Sequence, residues 1–314
     1  MRTHPLAAAL LLSLALPVIA LPAAAPKTKP TVDFSPFEIK QYQKDGLTLP
    51  YRILYPENMQ THPGQKYPLF LFLHGMGMRG TNNTSQLNRG AELFLRPENR
   101  KQYPCIALYP QAPLTGAFVE IVDADGHIIA TGGFAQLAKS HPTTDATPTS
   151  AAGAAAPTVN RKPETVNRGG SATAIRLSPY GKMVMDVVNQ LIASGVVDTT
   201  RIYIAGSSMG GFSTYAFITQ YPDLFAAAAP MAGAADISKI SVWAGKVPIW
   251  IFHGAADPTV PVEGDRAVFA KLQEMGLNPA TNKYTEYSGV GHPSWDKAFA
   301  EPDLLKWFFA QKKN

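Results

Sequence analysis

The fold is decided by the stretch Arg201-Ile202-Tyr203-Ile204-Ala205-Gly206-Ser207-Ser208-Met209-Gly210. Its first half is β-branched and aromatic, which predicts a strand, and the residues after it carry apolar side chains at helical spacing. A tight strand-to-helix turn of this kind exposes its central serine, Ser208, above the sheet edge. We expect no Cβ to fit at Gly206 or Gly210, because the strained turn brings backbone segments together. The stretch therefore predicts a nucleophile at Ser208, with the amides of the following helix directed toward any oxyanion formed there.

A serine hydroxyl needs a general base, and a group that orients the base, before it can act as a nucleophile. The histidines that follow Ser208 in the chain are His253 and His292. His292 lies in a glycine-rich loop after the last predicted strand, whereas His253 ends a strand and is expected to bond locally. The sequence therefore favours His292 as the general base.

Three carboxylates compete for the role of orienting His292. Asp257 comes shortly after the apolar run 249–252, so it stands at the carboxyl end of a predicted strand, beside the turn that carries Ser208. Asp236 precedes a predicted helix and is expected to cap it. Asp265 lies within a helical stretch. We therefore favour Asp257 over the two rivals.

Two backbone amides are required to stabilise a tetrahedral oxyanion. The first is expected from Met209, the residue after the predicted nucleophile. The second is expected from the loop His74-Gly75-Met76-Gly77, where the glycines permit a sharp turn, and we favour the Met76 amide. His74 itself is interpreted as a structural hydrogen-bonding residue. Trp295 is a candidate for substrate contact because it lies close to His292 in the sequence, whereas Trp250 is assigned to the core.

Strands and helices alternate on both sides of the turn at Ser208. The predicted strands are 37–43, 49–55, 67–73, 104–109, 201–205, 225–230, 247–252 and 282–287. The predicted helices are 84–95, 179–194, 209–220, 262–276 and 295–311. This alternation predicts an α/β fold, with a mostly parallel central sheet and helices on both of its faces.

The amino-terminal residues do not share this pattern. Residues 1–25 begin with basic groups, continue as an apolar run and end in small residues, which is typical of a signal peptide. The alternative is an uncleaved membrane anchor, which is disfavoured because Pro17 and Pro22 interrupt a run that is short for a membrane span. We expect residues 26–36 to be a flexible lead-in, and residues 37–314 to form a catalytic domain that is secreted or periplasmic.

An insertion is expected at about 117–176. Apolar runs at 118–122 and 127–130 flank Asp123-Ala124-Asp125-Gly126, which indicates a β-hairpin. Residues 136–176 are rich in Thr, Ser, Ala, Pro and Gly, and we expect this segment to be mobile. The hairpin either shapes the rim of the site or decorates the edge of the fold, and the sequence favours neither alternative.

The composition argues against other classes of function. A net charge of +5 over 314 residues, with the basic residues scattered, gives no support to nucleic-acid binding. Cys105 is the only cysteine, so an intrachain disulfide is impossible, and its apolar surroundings in the sequence place it in the core. We expect neither a metal nor an organic cofactor, because the chemistry of a serine, a histidine and an aspartate requires none.

Ordered motifs over roughly residues 37–311 resemble the α/β-hydrolase superfamily. They are Leu71-Phe72-Leu73-His74-Gly75-Met76-Gly77, Tyr109-Pro110-Gln111-Ala112-Pro113, the stretch from Arg201 to Gly211, Pro248-Ile249-Trp250-Ile251-Phe252-His253-Gly254 with Asp257 and Val260-Pro261, and Gly291-His292 with Trp295. More narrowly, the chain is similar to secreted carboxylesterases and predicted peptidases, a group with polyhydroxybutyrate-depolymerase-like and feruloyl-esterase-like members. The chain departs from this group in the insertion after Pro113.

The resemblance implies an acyl-enzyme mechanism. Ser208 would attack an ester carbonyl, His292 would move the proton and Asp257 would orient His292. The implied substrate is a small-molecule or polymer ester. A serine peptidase of the prolyl-oligopeptidase type is the second hypothesis, and a non-catalytic binding protein is the third.

Overall fold

A central sheet organises the part of the chain that the structure describes, which is residues 32–123, 125, 127–131 and 174–313 of a computed structural model. Its eight strands are β1 (Glu38–Lys44), β2 (Leu47–Leu54), β3 (Tyr67–Leu73), β4 (Ile106–Pro110), β8 (Val197–Ser207), β9 (Ala227–Met231), β10 (Ile249–Gly254) and β11 (Asn282–Tyr287). They lie side by side in the order β1-β2-β4-β3-β8-β9-β10-β11, and the three strands numbered between β4 and β8 belong to a second sheet.

Most of this sheet is parallel. β1 pairs with β2, and β2 with β4, in the antiparallel sense, whereas every neighbouring pair from β4 to β11 is parallel. The carboxyl ends of β3, β8 and β10 therefore meet at one edge of the sheet. This is the arrangement predicted from the alternating sequence pattern, and it positions the loops that follow these strands next to one another.

Helices cover both faces of the sheet, as predicted. The α-helices are α1 (Pro97–Gln102), α2 (Pro179–Ala193), α3 (Met209–Gln220), α4 (Ile240–Trp243), α5 (Glu263–Glu274), α6 (Trp295–Ala298) and α7 (Leu304–Ala310). Successive side chains of a strand point to opposite faces. On β3, Leu69 and Leu71 therefore join a buried cluster with residues of α2, α3 and α5, whereas Phe70 and Phe72 join a second cluster with residues of α7.

A second, antiparallel sheet contains the predicted hairpin. Its strands are β5 (Val119–Val122), β6 (Ile128–Thr131) and β7 (Ala174–Leu177), in the order β6-β5-β7. The hairpin of β5 and β6 is confirmed. The prediction of a mobile segment up to residue 176 is wrong at its end, because the backbone of residues 174–177 pairs with β5. The remainder of that segment, and the predicted signal peptide, lie outside the described residues.

Two predicted helices are broken by packing and by proline. Instead of a helix over 84–95, the structure has two short 3-10 helices, Ser85–Asn88 and Ala91–Phe94. Between them Gly90 has a φ of 70°, and a Cβ at this position would overlap the ring of Phe299. The predicted terminal helix is divided into α6 and α7 because Pro302 cannot continue a helix.

Within the predicted lead-in, residues 35 and 36 form a turn that is closed by a hydrogen bond from the Phe37 N–H to the Phe34 carbonyl at 3.0 Å. Ser35 donates its backbone N–H to Asp33 at 2.9 Å, and the rings of Phe34 and Phe37 meet edge-on at 6.4 Å. Residues 26–31 lie outside the described part of the chain.

Candidate active site

The turn at Ser208 joins β8 directly to α3 and is strained. Ser208 has φ 55° and ψ −117°, a conformation that is unfavourable for a residue with a Cβ. Its N–H donates to the Met231 carbonyl at 2.8 Å, which holds the turn against the end of β9. A Cβ at Gly210 would overlap the carbonyl oxygen of Leu73, so glycine is required there, as expected. The sharp turn therefore places the Ser208 side chain at the carboxyl edge of the sheet.

The structure brings Ser208, His292 and Asp257 together in one hydrogen-bonded chain. The His292 Nε2 lies 2.9 Å from the Ser208 Oγ, and the His292 Nδ1 lies 2.7 Å from the Asp257 Oδ2. Because a carboxylate only accepts hydrogen bonds, the Nδ1 carries the proton and the Nε2 is available to accept the hydroxyl proton of Ser208. The arrangement can activate the serine oxygen as a nucleophile.

Asp257 is held as an anion. Its Oδ1 accepts from the backbone N–H groups of Thr259 and Val260 at 2.8 and 3.0 Å. Burial raises the pKa of the Asp257 carboxyl, but hydrogen bonds from His253, His292 and these two amides outweigh burial and hold the pKa well below its usual value. Asp257 therefore stays charged at neutral pH and can stabilise a protonated His292.

The loop that carries His292 is docked on the end of β10. The Ala256 N–H donates to the Val290 carbonyl at 2.9 Å. Gly254, the last residue of β10, lies so close to this loop that a Cβ would overlap the carbonyls of Val290 and Gly291. This close approach brings a histidine that follows β11 to the carboxylate that follows β10.

The two residues predicted to supply oxyanion amides flank Ser208. Met209 is the first residue of α3, so its N–H has no partner within the helix. Met76 begins a 3-10 helix directly after Gly75, and a Cβ built on Gly75 would lie 3.4 Å from the Ser208 Cβ. The loop predicted to contribute the second amide is therefore packed against the serine.

His74 has the structural role that the sequence predicted. The ring is fully buried, its Nδ1 lies 2.7 Å from the Gly75 carbonyl and its Nε2 accepts from the Ala112 N–H at 3.0 Å. Burial lowers the pKa of His74 to about 4, so the ring is neutral at pH 7. Phe118, just before β5, packs edge-on against this ring at 5.0 Å. The hairpin sheet is thus anchored next to the loop that contains Met76.

Three other predictions about individual residues are confirmed. The Asp236 carboxylate accepts from the Ser238 N–H at 2.9 Å and so caps the 3-10 helix Ile237–Lys239. Trp250 is buried, and its Nε1 donates to the Thr285 hydroxyl at 2.9 Å. Cys105 is buried, and burial raises the pKa of its thiol to about 12, so it is an inert core residue.

The Trp295 ring packs against the His292 ring. The two rings meet edge-on with their centres 5.0 Å apart, and the tryptophan is 8% exposed. Its contact with His292 is direct, whereas its contact with a substrate stays a prediction.

His253 and Asp265 lie together beside the site, which the sequence did not predict. The His253 Nδ1 lies 2.7 Å from the Asp265 Oδ2, and its Nε2 lies 3.3 Å from the Asp257 Oδ2. The expectation that His253 bonds locally accounts only for its contacts with Asp257 and Val260. A histidine that ends a strand four residues before the predicted acid was the available signal, whereas the contact with Asp265 depends on how α5 packs.

One group with the spacing of metal ligands occurs among the described residues, on the hairpin turn. Atoms of Asp123, Asp125 and His127 lie within 4.8 Å of one another. The Asp123 carboxylate accepts from the backbone N–H groups of Asp125 and His127 at 3.0 and 2.8 Å, so capping of the turn accounts for the cluster. The expectation of a reaction without a metal stays a prediction.

Comparisons with known proteins point to esterases. The model of the prolyl oligopeptidase family matches residues 182–245, a segment that contains Ser208. The chain is 32% identical over 116 residues to Carboxylesterase SOBER1 from Arabidopsis thaliana, an alignment covering 35% of this chain and 49% of that protein. It is 36% identical over 149 residues to poly(3-hydroxyalkanoate) depolymerase C from Paucimonas lemoignei, covering 38% and 36% of the two chains. The crystal structure of a thermostable esterase matches with a TM-score of 0.67 and 29% identity, over 88% of this chain and 64% of that one.

The chain has the α/β-hydrolase fold, and its similarities to known proteins support an esterase of the α/β-hydrolase superfamily. Similarity to carboxylesterases and to an esterase structure supports a hydrolytic enzyme of the esterase kind. The chain spans less than half the length of the curated relatives it matches.

Proposed function

We propose that this protein is a serine carboxylesterase that cleaves esters through an acyl-enzyme formed on Ser208. The observation that carries the proposal is the hydrogen-bonded chain from Ser208 through His292 to Asp257, on a strained strand-to-helix turn. The similarities to a carboxylesterase and to a polyester depolymerase support a small-molecule or polymer ester as the substrate. Feruloyl and acetyl esters are among the classes we propose to test.

The geometry supports the following steps. The Ser208 Oγ attacks the ester carbonyl carbon while the His292 Nε2 takes the hydroxyl proton, and the carbonyl oxygen becomes an oxyanion. The Met76 and Met209 amides donate to that oxyanion. Collapse of the intermediate expels the alcohol, which receives the proton from His292. Water, with His292 again as base, then attacks the acyl-enzyme, releases the acid and restores Ser208.

A pair of adjacent serines provides a sharp test. Ser207→Ala is the matched control, because the Ser207 hydroxyl is buried and has no hydrogen-bond partner among the described residues. We expect Ser208→Ala to lose at least about 10⁴-fold in kcat. Ser207→Ala should retain wild-type turnover. The measurement is hydrolysis of p-nitrophenyl acetate, butyrate and palmitate, methyl ferulate and polyhydroxybutyrate.

Labelling by a fluorophosphonate separates an enzyme from a binding protein. The wild type and Ser207→Ala should be labelled at Ser208, and Ser208→Ala should not be labelled. A wild-type protein that neither reacts with the probe nor cleaves any ester would contradict the proposal and leave the non-catalytic binding protein as the better explanation.

A serine peptidase is the second candidate, because the family model that matches the segment around Ser208 is that of the prolyl oligopeptidases. The same set of residues can cleave an amide. A chromogenic peptide added to the substrate panel decides between the two: hydrolysis of the peptide without hydrolysis of any ester would favour the peptidase.

We further propose that the protein is secreted or periplasmic, on the basis of the leader pattern of residues 1–25. Over the described ranges, no helix combines the length and the apolar character needed to cross a bilayer. Mass spectrometry of the protein recovered from the medium or the periplasm tests the location, and the expected result is a chain that lacks the leader.

A further inference from the structure

His253 is a buried histidine whose two ring nitrogens both face acceptors. The Nδ1 lies 2.7 Å from the Asp265 Oδ2. The Nε2 lies 3.0 Å from the Val260 carbonyl oxygen and 3.3 Å from the Asp257 Oδ2. A carbonyl oxygen and an ionised carboxylate cannot donate, so each nitrogen must carry a proton. The geometry therefore indicates an imidazolium cation with no solvent exposure, between two carboxylates.

The carboxylate of Asp265 is fixed by hydrogen bonds in a position where it pairs with this cation. It is fully buried, its Oδ1 accepts from the Tyr215 hydroxyl at 2.5 Å, and its Oδ2 accepts from the Gly233 N–H at 3.2 Å. These contacts tie α5 to α3 and to the turn after β9. Because a buried carboxylate is costly unless it is paired and hydrogen-bonded, the full set of partners favours an ionised Asp265.

We propose that His253 and Asp265 are positioning residues for the proposed triad, and that the charged His253 holds the Oδ2 of Asp257 in line with His292. This inference rests on the proposed esterase function. Neither residue touches the reacting atoms. They act through Asp257, whose Oδ2 meets His292 on one side and His253 on the other.

The position of the cation has an electrostatic consequence for the general base. The Nε2 of His253 faces Asp257, which binds His292, whereas Asp265 binds the opposite ring nitrogen of His253. A positive charge behind Asp257 opposes the protonation of His292. Removal of this cation should therefore change the pH dependence of the reaction.

The other charged and titratable groups around His253 have partners of their own. Glu286 stands opposite His253 on β11 and is bound by Arg266 at 2.6 and 2.9 Å. Tyr215 donates to Asp265. Burial lowers the pKa of His253, but hydrogen bonds to Asp257 and Asp265 outweigh burial and raise it to about 10. The charged groups around His253 are thus compatible with a positive charge on its ring.

The test compares the pH dependence of kcat/KM in three variants. His253→Gln removes the cation and keeps a hydrogen-bond donor. His253→Gln/Asp265→Asn also removes the carboxylate, so that no buried ion is left unpaired if the single variant fails to fold. Val268→Ala is the matched control, because Val268 is a fully buried residue of α5 and its truncation loosens the helix without changing a charge.

We expect the acid limb of the profile to move to higher pH by at least about half a unit in both His253 variants, since a nearby cation no longer opposes protonation of His292. Val268→Ala should lower Tm and leave the acid limb unchanged. An acid limb that stays at the wild-type pH in a folded, active His253 variant would overturn the inference.

A measurement on the wild-type protein does not depend on any variant. In ¹⁵N-histidine NMR, one imidazole should keep both nitrogens protonated from pH 5 to pH 8, and a spectrum in which every histidine is neutral or titrates in this range would overturn the inference. The proposed esterase function fails separately, if the wild type neither cleaves esters nor reacts with a fluorophosphonate.

Discussion

At the scale of single residues, Met76 offers a test of one backbone N–H. The residue is 39% exposed and its side chain is assigned no role, so the proposed contribution is the amide alone. Gly75 has φ −76° and ψ 169°, a conformation that suits a residue before proline, and proline is tolerated at the start of a helix. Met76→Pro should therefore fold while removing the donor, and we expect a loss of about 10²–10³-fold in kcat.

Met76→Ala is the control for this substitution, because it truncates the same exposed side chain and keeps the N–H. Its kcat for p-nitrophenyl acetate should stay within a few-fold of the wild type. If proline and alanine have equal effects, with Tm values near the wild type, the Met76 amide is not an oxyanion donor.

Single-residue reasoning from the sequence reached Ser208, His292 and Asp257 because each follows a predicted strand that ends at the same sheet edge. It could not reach the pair of His253 and Asp265. Whether a histidine has two acceptors or one depends on side chains that approach from other elements, and Asp265 approaches from the first turn of α5. Residue type and spacing carry no information about that contact.

At the scale of secondary-structure elements, Gly254 is the point where β10 packs against the loop that carries His292. A Cβ there would overlap the carbonyls of Val290 and Gly291, so Gly254→Ala must push the loop away from the end of β10. Since a displacement of about 1 Å can cost 10²-fold in rate, we expect kcat to fall by about that factor. Ester hydrolysis, with Tm measured in parallel, checks the result.

Gly291→Ala is the matched control because it changes a residue in the same loop, directly before His292. Its added Cβ would meet the Ala256 carbonyl oxygen at 3.8 Å and Pro258 at 3.9 Å, which are ordinary contacts. We expect nearly wild-type turnover. Equal losses in the two variants would show that the loop is sensitive to any added Cβ nearby, and that its close approach to Gly254 is not what positions His292.

The elements that sequence patterns predicted best are those with one dominant signal. The apolar run of β3 is buried throughout, as a strand covered on both faces must be. The helix expected at 84–95 failed because the ring of Phe299, remote in sequence, occupies the space beside Gly90 and fixes a left-handed turn there. Strand β7 was missed because its residues follow a long Thr-, Ser- and Gly-rich segment and gain their partner only from β5.

At the scale of the whole molecule, two buried histidines set opposite limits on the pH range of stability. The unfolded chain binds a proton at each histidine with a pKa near 6.5, whereas folding lowers the pKa of His74 to about 4 and raises that of His253 to about 10. Between pH 4 and 6.5 the unfolded state binds the extra proton, so the free energy of unfolding falls as the pH falls. Between pH 6.5 and 10 the folded state holds the extra proton at His253, so that contribution is lost as the pH rises.

We therefore expect a maximum of stability near pH 6.5, with each histidine contributing a slope of at most about 1.4 kcal/mol per pH unit. Urea unfolding monitored by circular dichroism from pH 4.5 to 9.5 measures the curve.

His74→Asn should flatten the acid side of this curve alone, because its neutral side chain no longer titrates. His253→Gln/Asp265→Asn should flatten the alkaline side alone. The two effects should be independent, since His74 bonds to the segment after β4 and His253 to α5. A His74 variant that changed the alkaline slope would contradict this assignment of the two limbs.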